Sequence, residues 1–179
     1  MTLCALAGVA QATTPAVAAR QAEVSRLLDS LRGAPDELTA TALETRIRLL
    51  WQQDASPAAH LLLERGDRDL QAQAFNEAQD DYNAVLTLDP GLPDALVRRA
   101  QVRVLSGRYA AALSDLEAVL AREPRDFVAL SAVSQLAETR GDWPGALAAW
   151  QRLLAIDPHT AGAQDRLTKL RLKAEGEPT

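Results

Sequence analysis

A single cysteine, Cys4, stands in this chain of 179 residues. No disulfide and no thiolate metal site can form within one copy of it. The two histidines, His60 and His159, lie 99 residues apart. No His-x-x-x-His pair, cysteine cluster or glycine-rich phosphate loop occurs. Ser106 and Ser131 have no histidine near them in sequence, which removes the nucleophile–base pairing of a hydrolase. Asp80-Asp81 and Glu64 with Asp67 are pairs of acids on helical stretches, and they read as solvated faces. The expectation is a protein without catalysis, cofactor or metal.

Aromatic residues make up only 4% of the chain, and β-branched residues never alternate with polar ones, so no strand is predicted. Bases do not outnumber acids. With 19 Lys and Arg against 24 Asp and Glu, the net charge is −5. That balance excludes the basic face with which a general nucleic-acid binder displaces counterions. Beyond the N-terminus no apolar run approaches the roughly 18 residues of a membrane-spanning helix.

What is present is alanine and leucine, the leading helix formers, in a chain that is 47% hydrophobic. The N-terminus reads MTLCALAGVAQATTPAVAAR. Leu3 to Ala10 is a short apolar run, and Ala10-Gln11-Ala12 or Ala16-Val17-Ala18 gives the small residues that a signal peptidase accepts. No basic segment precedes the run. Residues 1–19 are read as an export leader, which places the mature chain in the periplasm. The alternative is an alanine-rich N-terminal helix or a disordered leader on a cytoplasmic protein. Thr2-Leu3 before Cys4 does not suit a lipid anchor.

The remainder is organised by three prolines. Pro90, Pro124 and Pro158 follow one another at intervals of 34 residues, and each ends an apolar helical run after Asp89, Glu123 or Asp157. Aligned on them, segments 59–92, 93–126 and 127–160 agree. Gln73, Gly107 and Gly141 correspond, followed by Phe75, Tyr109 and Trp143. Next come Ala78, Ala112 and Ala146, then Tyr82, Leu116 and Trp150, then an apolar pair. In the first halves Leu62, Leu96 and Leu130 correspond, as do Gly66, Ala100 and Ser134. Small residues in both helices allow close crossing, since a larger side chain there would overpack at a cost of about 1–3 kcal/mol. The glycine allows the left-handed turn that ends the first helix. The proline stops the second helix, and the acid before it initiates the turn.

The period and the small–aromatic–alanine–aromatic–proline order resemble the tetratricopeptide repeat (TPR) family. The resemblance covers residues 59–160. It implies an all-α, right-handed superhelical solenoid of helical hairpins. Three repeats (59–92, 93–126, 127–160) would occupy residues 57–160, with Ser56-Pro57 starting the first helix. The family's mid-helix tyrosine is replaced by Asp69, Arg103 and Ala137. Gln21–Arg32 and Asp36–Gln53 carry helical apolar patterns outside the period, so residues 20–56 are read as a degenerate repeat or an N-terminal cap. Residues 161–179 are read as a capping helix, with Leu167, Leu170 and the stem of Arg171 on one stripe, followed by a tail. Nine helices are expected.

The resemblance also implies a concave groove lined by the first helices. Its register places His60, Leu63, Asp67 and Leu70 there from the first repeat. The second contributes Asp94, Val97, Gln101 and Val104, and the third Val128, Ser131, Gln135 and Glu138. A protein or peptide partner would lie along this surface. Chaperone-tail TPRs clamp a terminal carboxylate with Lys, Asn and Arg. Here the matching positions are Leu63, Asp67, Val128 and Ala132, and only Arg98 is of the right type, so no such clamp is expected. Arg98, Arg99 and Arg103 form the one dense basic cluster, expected to pair with Asp67, Asp69 or Glu64 of the preceding unit. Small exported proteobacterial TPR proteins share this layout. The resulting expectation is a binding scaffold with no enzymatic role, no nucleic-acid partner and no integral membrane segment. The alternative is a self-associating module that uses its terminal hairpins.

Overall fold

The computed structural model describes residues 14–53 and 55–175. Leu3 to Ala10 and the first cleavage option, Ala10-Gln11-Ala12, lie outside the described residues. The described residues form nine helices and no strand. They are α1 (Pro15–Arg32), α2 (Glu37–Gln52), α3 (Pro57–Gln71), α4 (Phe75–Leu88), α5 (Pro93–Leu105), α6 (Tyr109–Arg122), α7 (Phe127–Thr139), α8 (Trp143–Leu154) and α9 (Ala163–Glu175). The helix α1 starts earlier than the apolar pattern suggests. Pro15 opens it and Thr14 caps it, with Oγ1 accepting from the Val17 amide at 3.4 Å, so residues 15–19 are helical.

The repeat chemistry sets the helix ends. Ser56, Asp126 and Asp142 cap α3, α7 and α8 by accepting from the amide three residues on, which satisfies a donor that the first turn leaves open. At the turn inside each repeat Gln73, Gly107 and Gly141 share a left-handed backbone, with φ of 61°, 72° and 74°. The next amide then reaches back five residues in all three. Ala74 donates to Asp69 O at 2.8 Å, Arg108 to Arg103 O at 2.7 Å and Asp142 to Ala137 O at 2.9 Å. This is the glycine-type helix stop of the Schellman motif, and the first repeat builds it with a glutamine.

Within each repeat the helices cross closely where small residues stand. Ala78, Ala112 and Ala146 are fully buried, as are Ala100 and Ser134 to within 1%. The glycine of the first repeat is required, because a Cβ on Gly66 would lie 2.6 Å from Cε1 of the buried Tyr82 ring. Ser134 Oγ donates to Ala146 O at 3.0 Å across the same crossing in the third repeat. Each second helix packs on its own first helix and on the first helix of the next unit, and α5 also touches α7. The first helices therefore lie together along one side of the stack.

The N-terminal hairpin does not extend this stack at its start. In the stack α2 meets α5, and the buried faces of α1 and α2 (Val24, Leu28, Leu31, Ile47, Leu50) join one apolar cluster with Phe127, Leu130, Trp150, Leu153 and Leu170. The first and second repeats have separate clusters. The reason lies at the first position of each repeat, which is Ala59, Pro93 or Phe127. Only the third offers a large apolar ring. Trp51 lies against it with centroids 5.3 Å apart, and the Arg48 guanidinium sits 5.2 Å from its centre. Arg125 adds bonds to Asp29 at 2.9 Å and Ser25 at 3.0 Å on α1. At the other end α9 closes the same cluster. Arg166 stacks 4.3 Å over Trp150, whose Nε1 donates to Ala163 O at 3.2 Å. Leu167 and Leu170 face inward as expected, but Arg171 is exposed and Ala174 takes the place assigned to its stem.

Candidate peptide-binding trough

The expected groove residues separate into four groups. Leu63 is only 3% exposed and packs with Ala59, Ala78 and Tyr82, so it belongs to the core of the first repeat. It lies on the buried stripe Ala59, Leu63 and Gly66, which faces α4. Val128 is half-buried against the cluster that holds the N-terminal hairpin. Asp67, Asp94 and Arg98 are drawn into one polar knot. Leu70, Val97, Val104, Ser131 and Glu138 are half-buried, and His60, Gln101 and Gln135 are exposed.

The knot ties the first repeat to the second. Tyr82 OH donates to Asp67 Oδ1 at 2.8 Å, Arg98 donates to Asp67 Oδ2, and Arg98 Nε donates to Asp94 Oδ1 at 3.0 Å. Burial and the bond to Asp67 raise the Tyr82 hydroxyl above its ordinary value. Burial works against the charge on Arg98, but Asp94 and Asp67 outweigh it and raise the guanidinium above its ordinary value. Arg98 pairs with Asp67 of the preceding unit, as expected, and both its neighbours are carboxylates.

Arg99 and Arg103 behave differently from the expectation. Both reach Asp115 on α6 of their own unit, Arg99 at 3.0 and 2.7 Å and Arg103 at 2.6 Å. Arg99 adds Asn83 at 2.8 Å. The partner is set by the fold, since Asp115 is 4% exposed and faces α5. The same pair recurs one period earlier, where Arg65 holds Asp81, itself 4% exposed. Asp81 is thus buried and paired, although the sequence reads as a solvated face. Arg65 and Arg99, like Asp81 and Asp115, are 34 residues apart, and the third repeat has Val133 and Ala149 at these positions. The signal in the sequence is that these charged positions recur at the same 34-residue period as the apolar ones.

The open part of the trough lies on α5 and α7. Val97, Gln101 and Val104 stand on α5. On α7, Gln135 bonds Ser131 at 3.4 Å. At its far end Glu138 accepts from Arg166 at 2.6 Å and from Lys169 at 3.3 Å, so α9 closes the trough with a basic edge. An open depression of about 400 Å³ lies here, lined by Gln135, Glu138, Thr139, Arg166 and Lys169. Among the described residues no group of three or more His, Cys, Asp or Glu is placed to hold a metal.

No family model matches the chain. A TPR repeat-containing protein of Rhizobium etli is 30% identical over 156 residues, which is 87% of this chain and 76% of the relative. The chain belongs to the tetratricopeptide repeat family. Solved TPR structures share the fold. The Sgt2 TPR domain from Aspergillus fumigatus superposes with a TM-score of 0.62 at 24% identity, over 70% of this chain and 87% of that one. The first TPR of Spaghetti (RPAP3), bound to the HSP90 peptide SRMEEVD, superposes with a TM-score of 0.59 at 24% identity, over 64% of this chain and 91% of that one. In TPR terms α3, α5 and α7 are the first helices of three repeats, and α1–α2 is a hairpin added to them.

Proposed function

We propose that the chain is a non-enzymatic scaffold of the cell envelope that holds an extended peptide segment in the trough between α5 and α7. What supports this is the strip of Val97, Gln101 and Val104 on α5, which touches α7, the helix that carries the exposed Gln135. It offers half-buried apolar surface with exposed amides, as an extended chain requires for side-chain and main-chain contact at once. The peptide complex of RPAP3 shows that a related fold can hold a linear ligand. The ligand here differs in chemistry. Arg98 is committed to Asp67 and Asp94 and so is not free for an acidic C-terminal tail, and a neutral segment with small apolar side chains fits better. The apolar leader supports the envelope location, and no helix among the described residues is long and apolar enough to cross a membrane.

The test is affinity purification from the native host with mass spectrometry, reading the N-terminus of the mature chain in the same run. Val97→Arg and Val104→Arg are expected to abolish capture of the partner while leaving the melting temperature within a few degrees. Capture that survives both substitutions would place binding elsewhere, and an intact Met1 would overturn the location.

A second reading, self-association, draws on Leu38 and Leu49, which are 82% and 49% exposed on the outer side of α2. Under it, light scattering would show a concentration-dependent dimer that Leu38→Glu with Leu49→Glu returns to monomer. A monomer at all concentrations dismisses this reading.

A further inference from the structure

The N-terminal hairpin is held to the third repeat by one buried contact that neither binding nor packing explains. Glu44, on the inner side of α2, is 9% exposed, and Asp157, on the turn between α8 and α9, is fully buried. The two carboxyls meet across this contact, and Arg48 donates to Glu44 Oε2 from its own helix. Asp157 Oδ1 accepts from the His159 amide at 3.2 Å, but Oδ2 is buried with no N–H or protein hydroxyl beside it. Two acceptors cannot bond without a proton between them. Two ionised carboxylates in contact, away from water, repel. The contact therefore holds only while one proton lies between the two carboxyls, where it also serves the otherwise unsatisfied Asp157 Oδ2.

We propose that Glu44 and Asp157 share this proton, and that it latches the N-terminal hairpin onto the third repeat, so that loss of the proton loosens the hairpin. Burial and the Asp157 hydrogen bond push the Glu44 carboxyl from 4.5 up to about 7, against the opposing pull of Arg48 on its own helix. Of the charges around it, Arg48 bonds Glu44 directly, His159 acts on Asp36 at the start of α2, and Arg125 reaches Asp29 and Ser25 on α1. The sign follows from proton binding. The docked hairpin binds a proton that the free hairpin releases at about 4.5, so docking is strongest below about pH 4.5. It weakens between about 4.5 and 7, and reaches its floor above about 7. Within that window the docking constant falls about tenfold per pH unit. The latch is independent of what the trough binds.

The experiment is hydrogen exchange of α1 and α2 in the full chain from pH 4.5 to 8.5, corrected for the intrinsic pH dependence of exchange. Protection is expected to drop by up to about tenfold per unit toward pH 7 and then level off, while α3–α6 stay flat. Glu44→Gln supplies an amide donor at every pH and should make the hairpin profile flat, with Asp126 and His159 untouched. Should Glu44→Gln fail to fold, Asp157→Asn serves instead, since its amide can donate to an ionised Glu44. The wild-type Glu44 carboxyl can also be titrated directly by carbon-detected NMR. A flat wild-type profile, a wild-type slope that persists in Glu44→Gln, or a Glu44 midpoint below about 5 would each overturn the proposal.

Discussion

At the scale of single residues, the turn at Gln73 is where the repeat pattern and the chain disagree. Its two counterparts are glycines with the same left-handed backbone, and a side chain in that region costs roughly 1–2 kcal/mol. Gln73→Gly removes that strain but adds freedom to the unfolded chain. We expect a net gain of about 0.5–1 kcal/mol in urea unfolding, with no change in m-value. This position was legible because the 34-residue period names it and its neighbours state what it should be. Leu63 was less legible. It stands four residues after Ala59 and three before Gly66 on the buried stripe of α3, and an alanine and a glycine make that stripe too faint to read as a core face. The ionisation of Asp126 was not legible at all. It caps α7, and burial pushes its carboxyl up to about 6 even though the Ala129 and Val128 amides favour the charge.

At the scale of elements, the three repeat hairpins follow from their own sequence, whereas the N-terminal hairpin does not. A repeat carries its neighbour's address in its period: small residues, turn and proline recur at fixed offsets, so each unit presents the next with a matching surface. The helices α1 and α2 have apolar faces but no period, and an apolar face says that something must be buried, not against what. Phe127 supplies the answer, at a position where the other repeats have Ala59 and Pro93. Truncating this ring should therefore act on the hairpin before the stack. Phe127 is 4% exposed, so Phe127→Ala is expected to cost about 3 kcal/mol. In hydrogen exchange it should strip protection from α1 and α2 while α3–α6 hold theirs. A uniform loss across all helices would mean that the ring serves the repeat core instead. The pairs Arg65–Asp81 and Arg99–Asp115 belong to this scale too. They cross-link the two helices of a unit, and truncating the buried acid alone would leave a partly desolvated guanidinium without its counter-charge.

At the scale of the molecule, a stack of hairpins is nearly one-dimensional, since each unit touches only its neighbours. Its ends are then the places where melting starts. Here the first two helices and the last share one apolar cluster with α7 and α8, and Arg125 reaches Asp29 across 96 positions of sequence. The hairpin α1–α2 and the helix α9 thus cover one shared cluster on α7 and α8. Fraying, which an open spiral suffers independently at head and tail, becomes a joint event: peeling away either cover opens the cluster that the other also shields, and the middle turns of the spiral are left to stand alone.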